Sequence, residues 1–140
     1  MASFELRSIP LARTRALRQA VLRPHETLAE LAAHEPPDAY AVGAFAGDEL
    51  VAVGFIAPDG EPGGWRIRGM ATDPGARGRG AGTTILAALI DHGIEHGATR
   101  VWCNARTPAR SLYERAGMRI VYAEFELPEI GPHFVMERRP

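Results

Sequence analysis

The sequence predicts a mixed α/β fold of the α+β kind, with one mixed sheet flanked by helices. Short β-type runs alternate with segments of helical periodicity from one end to the other. A glycine-rich stretch, Arg77-Gly78-Arg79-Gly80-Ala81-Gly82-Thr83, joins one such run to an amphipathic segment. No repeat or low-complexity tract interrupts the 140 residues, a length that suits a single domain burying roughly 70% of its unfolded surface. Residues 1–140 are therefore expected to form one domain.

The elements follow in order. Residues 3–8 read as a first strand. Leu11 to Val21 and Thr27 to His34 suggest two short helices, split by Pro24 and stopped by Pro36-Pro37. Residues 39–46 and 49–57 form an expected hairpin turned at Gly47-Asp48, and residues 58–64, rich in glycine and proline, form a flexible loop. Trp65 to Thr72 is a strand closed by the turn pair Asp73-Pro74. Downstream, Ile85, Leu86, Leu89, Ile90 and Ile94 recur at helical spacing and predict a helix from Ala81 to His96. Thr99 to Asn104 is a short β-type run. Pro108 then opens a helix with Ala109, Leu112, Tyr113 and Ala116 on one face, and Gly117 ends it. Met118 to Phe125 and residues 132–139 supply the remaining strands.

The chemistry points to the glycine stretch. A chain that leaves a strand, passes through glycines and enters a helix turns several backbone N–H groups outward at the positive end of a helix dipole, a setting that suits a phosphate or pyrophosphate. Arg77 and Arg79 add positive charge there. A Walker loop is excluded, because Gly75 and Gly80 have its spacing but Ala81 occupies the lysine position, and the chain contains no lysine. A dinucleotide fingerprint fits poorly, since Gly78-x-Gly80 runs into Thr83 and residues 98–103 carry no carboxylate. The pattern R-x-x-G-x-G, starting at Arg77, fits fully.

That pattern resembles the acetyl-CoA loop of the GCN5-related N-acetyltransferases (GNAT). Tyr113 to Met118 matches a second motif of that family, Y-E-x-x-G followed by Phe or Met, in the same order and spacing. The segments AVLRP (20–24), IRGMATDP (67–74), VWCNAR (101–106) and ELPEIGPHFVMERR (126–139) resemble a subgroup of small bacterial acetyltransferases, so the likeness covers essentially the whole chain. It implies a mostly antiparallel sheet of about seven strands with about four helices, and acetyl-CoA as cosubstrate of an N-acetyltransferase. The strand before the loop would splay from its neighbour, and the backbone at Met70, Ala71 and Thr72 would hold the pantetheine arm. The amides of Gly78, Gly80, Ala81, Gly82 and Thr83 would bind the pyrophosphate. Tyr113 would protonate the leaving thiolate, a type of acid catalysis worth about 10²–10⁴-fold.

Two departures from the family pattern matter. Arg106 stands seven residues before Tyr113, where the family often has asparagine, so a contact there is donor-type; Asn104 is a second candidate for binding the coenzyme. Many members also carry a glutamate on the strand before the loop, but here Arg66 and Arg68 stand in that strand and no carboxylate does. The general base is then sought in the C-terminal segment. His133 follows Gly131-Pro132, and Glu124 and Glu126 alternate with Phe125 and Leu127, which puts both carboxylates on one face of a strand. Arg68, with Arg66 and Arg106, suits an amine acceptor bearing a carboxylate or phosphate, and Glu126 is a further acceptor-side candidate. Trp65 and Trp102 are expected to pack in the core rather than line a pocket.

Composition narrows the alternatives. A net charge of −1 gives no field for nucleic acid or anionic lipid, and no apolar run approaches the roughly 18–20 residues of a membrane span. There is no signal-peptide pattern, and Cys103 is the sole cysteine, so a reducing cytoplasm is expected and Cys103 reads as buried and inert. All 16 basic residues are arginine, which suits a GC-rich bacterial genome. No metal site is expected. A homodimer follows only by analogy with family members, which are often dimers. The competing reading is a non-catalytic acetyl-CoA sensor or interaction module.

Overall fold

A computed structural model describes residues 4–140, and eight strands and four α-helices account for most of them. In chain order these are β1 (Glu5–Ile9), α1 (Arg15–Val21), α2 (Leu28–Ala33), β2 (Tyr40–Ala46), β3 (Glu49–Pro58) and β4 (Gly64–Thr72). They are followed by α3 (Ala81–Glu95), β5 (Arg100–Arg106), α4 (Arg110–Arg115), β6 (Arg119–Ile120), β7 (Phe125–Leu127) and β8 (Gly131–Arg138). Residue 3, the expected start of the first strand, lies outside the described residues.

The strands form one sheet in the order β1-β2-β3-β4-β5-β8-β6, with β7 also paired to β8. Every pairing is antiparallel except β4 with β5, which α3 connects as a crossover. The sequence-based count of about seven strands is short by one for a local reason. Met118 to Phe125 is not one strand, because the chain lifts off β8 after Val121, leaving Tyr122 66% exposed and tying Glu124 to the Thr107 hydroxyl at 2.7 Å. The two remnants, β6 and β7, pair with separate stretches of the same strand.

Strand β3 is buried on both faces, which explains its unbroken apolar run from Val51 to Ala57. On one face Ile85, Leu86, Leu89 and Ile90 of α3 are at most 1% exposed, each stabilising the fold by about 1.5–3 kcal/mol. On the other face Val53, Phe55 and Ala71 pack beneath α1 with Leu17 and Val21. Thr27 and Glu30 close a capping box at the start of α2: the Thr27 hydroxyl accepts from the Glu30 amide at 3.1 Å, and the Glu30 carboxylate accepts from the Thr27 amide. Arg15 and Arg18 of α1 both donate to Glu35, just beyond α2, which locks the two helices together.

Two irregularities shape the rest of the molecule. First, β4 carries a bulge: Val53 pairs with Ala71 and Phe55 with Arg68, so β4 spends one more residue than β3 over that stretch. Gly69 occupies it at φ +68°, and a Cβ there would lie 2.7 Å from the Phe55 ring. Second, β4 and β5 pair only over Gly64–Arg66 and Arg100–Trp102, after which they diverge. The far half of β4 is bonded to β3 alone and the far half of β5 to β8 alone, so the sheet opens as a wedge. Among the described residues no helix is long and apolar enough to cross a membrane.

Candidate active site

The wedge and the glycine loop create two neighbouring cavities. At the loop, Pro74–Ala76 form a short 3-10 turn after β4, steadied by the Asp73 carboxylate accepting from the Gly75 amide at 2.9 Å. The chain then reaches Gly80, the N-cap of α3, at φ +86°. Gly80 has no side chain to cap the helix and no acidic residue stands in the first turn, so the N–H groups at the start of α3 keep their need for an acceptor. A Cβ at Gly78 or Gly80 would meet nothing within 4 Å, so open space lies above the loop. That space is a cavity of about 340 Å³ bordered by Arg77, the loop glycines, Ala81, Thr83 and Thr72. Helix α4 closes it with Leu112 and Arg115. An anion of pyrophosphate type fits this setting, since uncapped amides and two arginines surround it and no carboxylate among the described residues borders it.

The wedge holds a second cavity of about 170 Å³. Its walls come from β4 (Arg66 to Met70), β5 (Cys103, Asn104, Arg106), α4 (Tyr113) and the β7–β8 region (Leu127, Ile130, His133). Helix α1 and the turn after it add Arg18, Leu22 and Arg23. The two cavities are served by neighbouring residues of the same elements: Met70 and Tyr113 border the wedge, while Thr72 and Leu112 border the loop cavity.

Tyr113 is 6% exposed, and burial, reinforced by the neighbouring Cys103, raises its hydroxyl above the usual range despite the opposing Arg106. It is thus protonated at neutral pH and able to donate. His133 is 3% exposed, and its Nδ1 lies 2.7 Å from the Gly131 carbonyl oxygen. A carbonyl only accepts, so Nδ1 carries the proton, and in the neutral ring Nε2 keeps its lone pair. Cys103 is 2% exposed, and burial pushes its thiol up to about 12, consistent with the inert role expected of it.

The arginines dominate the electrostatics. Arg66 stacks over Trp102 at 4.8 Å, and its Nε is the one buried side-chain polar atom without a partner among the described residues. Arg68 donates to the His34 carbonyl at 3.2 Å, and Arg106 to the Leu22 carbonyl at 2.9 Å. Burial holds Arg66, Arg68 and Arg106 below their ordinary values, and neighbouring arginines add to the effect.

The sequence-based site residues are therefore distributed as follows. Thr72, Arg77, Gly78, Gly80, Ala81, Gly82 and Thr83 gather at the loop cavity, whereas exposed Arg79 borders neither cavity. Met70, Arg68, Tyr113 and His133 gather at the wedge, joined by Asn104 and Arg106, which lie there rather than at the pyrophosphate loop. Ala71 is 3% exposed beneath α1, so only its backbone is available. Glu126 is a correction. It is exposed, while its neighbours Phe125 and Leu127 are partly buried, so Glu126 lies on the solvated face of β7. Glu124 is also exposed and bound to Thr107. Trp65 and Trp102 border neither cavity, and Trp102 donates to Asp59 at 2.7 Å, pinning the loop after β3. Sequence reasoning missed Arg18, Arg23 and Arg115. The first two join the wedge by long-range packing with no local signal, but Arg115 was readable from its spacing three residues after Leu112.

The family model of the Acetyltransferase (GNAT) family matches residues 6–118. The chain is 30% identical over 140 residues to an uncharacterized N-acetyltransferase of Bacillus subtilis, YitI, covering 95% of this chain and 94% of that protein. The fold is shared with Escherichia coli ElaA, at a TM-score of 0.81 and 19% identity, over 98% of this chain and 100% of the other. It is also shared with a Bacillus subtilis acetyltransferase solved in complex with CoA, at a TM-score of 0.75 and 15% identity, over 99% of each chain.

Proposed function

The chain belongs to the GNAT acetyltransferase family as an acetyl-CoA-dependent N-acyltransferase, and from that premise we propose that it moves the acetyl group directly to a primary amine of a small molecule or peptide, with Tyr113 as general acid. The observation that carries this reading is the meeting of a buried, protonated Tyr113 with His133 in a wedge that adjoins the uncapped start of α3.

In this reading the pyrophosphate of acetyl-CoA rests on the amides of Gly78, Gly80, Ala81, Gly82 and Thr83, with Arg77 and Arg115 as counter-charges. The pantetheine arm follows the unpaired edge of β4 at Met70 to Thr72. The thioester then lies in the wedge, where a β4 backbone N–H polarises its carbonyl; oxyanion donors of this kind are worth about 2.7–4 kcal/mol. The amine nitrogen attacks the carbonyl carbon, and His133 Nε2 takes the proton that nitrogen gives up. As the C–N bond forms the C–S bond breaks, and the Tyr113 O–H protonates the departing sulfur. Solvent exchange restores both side chains. The cosubstrate and the free thiol of Cys103 both suit a cytoplasmic location.

A non-catalytic sensor is favoured by one observation: no carboxylate borders the wedge cavity among the described residues. Acetyl-CoA-dependent thiol release from wild type and Tyr113→Phe separates the two. The expected result is a turnover loss of about 10²–10⁴-fold with acetyl-CoA affinity within about twofold. Unchanged turnover would remove Tyr113 from the chemistry, and no release with any amine, despite bound acetyl-CoA, would favour the sensor.

A further inference from the structure

The wedge cavity is lined by five arginines, and their charges are unevenly neutralised. Arg18 is paired with Glu35 at 2.6 Å and Arg23 with Glu26 at 3.6 Å. Arg66, Arg68 and Arg106 have no carboxylate partner among the described residues; two of them donate only to backbone carbonyls, and Arg66 Nε donates to nothing. Three guanidinium groups thus bring positive charge to one small space, each with N–H donors to spare. Such groups are partly desolvated, and a planar oxyanion satisfies them through paired hydrogen bonds.

We propose that the acceptor is a small amine that also carries an oxyanion, a carboxylate or a phosphate, and that Arg66, Arg68 and Arg106 hold that group. The proposal rests on the acetyl-transfer reading and names its substrate class. The cavity of about 170 Å³ is below the roughly 300–1,000 Å³ of drug-sized ligand sites, so the part of the acceptor it admits is compact. The same field also acts on the nucleophile. Cationic neighbours disfavour an ammonium and favour the neutral amine, the form that attacks. The arginines on β4 therefore anchor the acceptor's anion and favour its reactive form, in a strand with no carboxylate to activate the amine through water.

The test has two arms. In the first, wild-type enzyme saturated with coenzyme A, so that the loop is already filled, is melted in inorganic phosphate and in sodium chloride of equal ionic strength. Phosphate at about ten times its dissociation constant is expected to raise Tm by about 3–6 °C over chloride, and Arg68→Gln and Arg106→Gln to lose that gain. In the second, ethanolamine, β-alanine and phosphoethanolamine are compared as acceptors. One anionic amine is expected to exceed ethanolamine in kcat/KM by about 10- to 100-fold, the ratio falling towards unity in the variants. The preferred amine distinguishes carboxylate from phosphate. Equal melting in the two salts together with ethanolamine acetylated as well as the others overturns the anion site and leaves acetyl transfer standing. A phosphate gain that depends on the arginines, with no amine acetylated, supports the site and sinks the transfer reading. The salt and acceptor comparisons on wild type need no variant, so equal melting with equal acceptor rates overturns the anion site even where a glutamine variant does not fold.

Discussion

Helix α3 is bounded by two glycines of nearly equal conformation, and only one of them faces the proposed coenzyme. Gly80 at its N-terminus has φ +86°, Gly97 after its C-terminus has φ +90°, and a Cβ at either position would meet nothing within 4 Å. Alanine at either site forces a residue with a Cβ into the left-handed region, which costs about 1–2 kcal/mol and no steric clash. Both variants are therefore expected to lose about 3–8 °C of Tm. Their coenzyme A affinities should differ. A methyl group at position 80 enters open space at the loop cavity that Gly80 borders and pushes away the diphosphate, forfeiting one charge-assisted hydrogen bond worth about 1.5–3 kcal/mol, or about 10- to 100-fold in Kd. Gly97→Ala should leave Kd within about twofold. Calorimetric titration with coenzyme A, alongside thermal melts, measures both quantities. Equal melting losses with equal affinities would mean that the start of α3 holds no ligand.

Other expectations concern stability and reactivity. The Glu137 carboxyl is held down to about 2 by the Arg100 hydrogen bond, joined by Arg139 and Arg119, against the opposing effect of burial. Its folded value lies below its ordinary one, so its contribution is full above about 4.5 and fades as pH falls from there towards 2. Arg119 and Arg139 are exposed, so screening reduces that contribution to about 1–2 kcal/mol. Glu137→Gln should lower Tm at pH 7 and converge on wild type in acid; a gap independent of pH would contradict this. Glu35→Gln leaves Arg18, whose side chain is 6% exposed, without its charge partner, and denaturant titration should show a loss of about 3–5 kcal/mol. A loss under about 1 kcal/mol would mean that the pair does not hold α1 to the segment after α2. Cys103 should resist a disulfide reagent at pH 8 in the folded protein and react only on unfolding; labelling of native protein within seconds would show that the thiol is not buried.

How much of this was legible depended on whether the information was local. The passage from β4 through the loop into α3 is written in consecutive residues, since glycines, a turn pair and a helical repeat each act within a few positions. Tyr113 and Gly117 were readable for the same reason. The opening between β4 and β5 was implied by family resemblance and not by any residue pattern, because it depends on where pairing stops. The bulge at Gly69 left a signal, an isolated glycine in a strand with Phe55 closing over it, but placing it requires the register of β3. Alternation sets Glu126 opposite Phe125 and Leu127 on β7 but cannot say which face is wet; the packing of Phe125 against His133, 5.9 Å between ring centroids, decides that, and Glu124 falls in the loop before the strand. Arg18 and Arg23 reach the wedge because Arg15 and Arg18 anchor α1 to Glu35, a contact spanning 17 to 20 residues.

The central claim is that the loop and the wedge form one track, with the reacting sulfur beside Tyr113. A crystal structure of the protein with coenzyme A bound tests it most directly. The diphosphate is expected over the amides from Gly78 to Thr83, and the sulfur within about 3–4 Å of the Tyr113 hydroxyl, close enough for proton transfer. A coenzyme whose diphosphate lies away from α3, or whose thiol points out of the wedge, would contradict it.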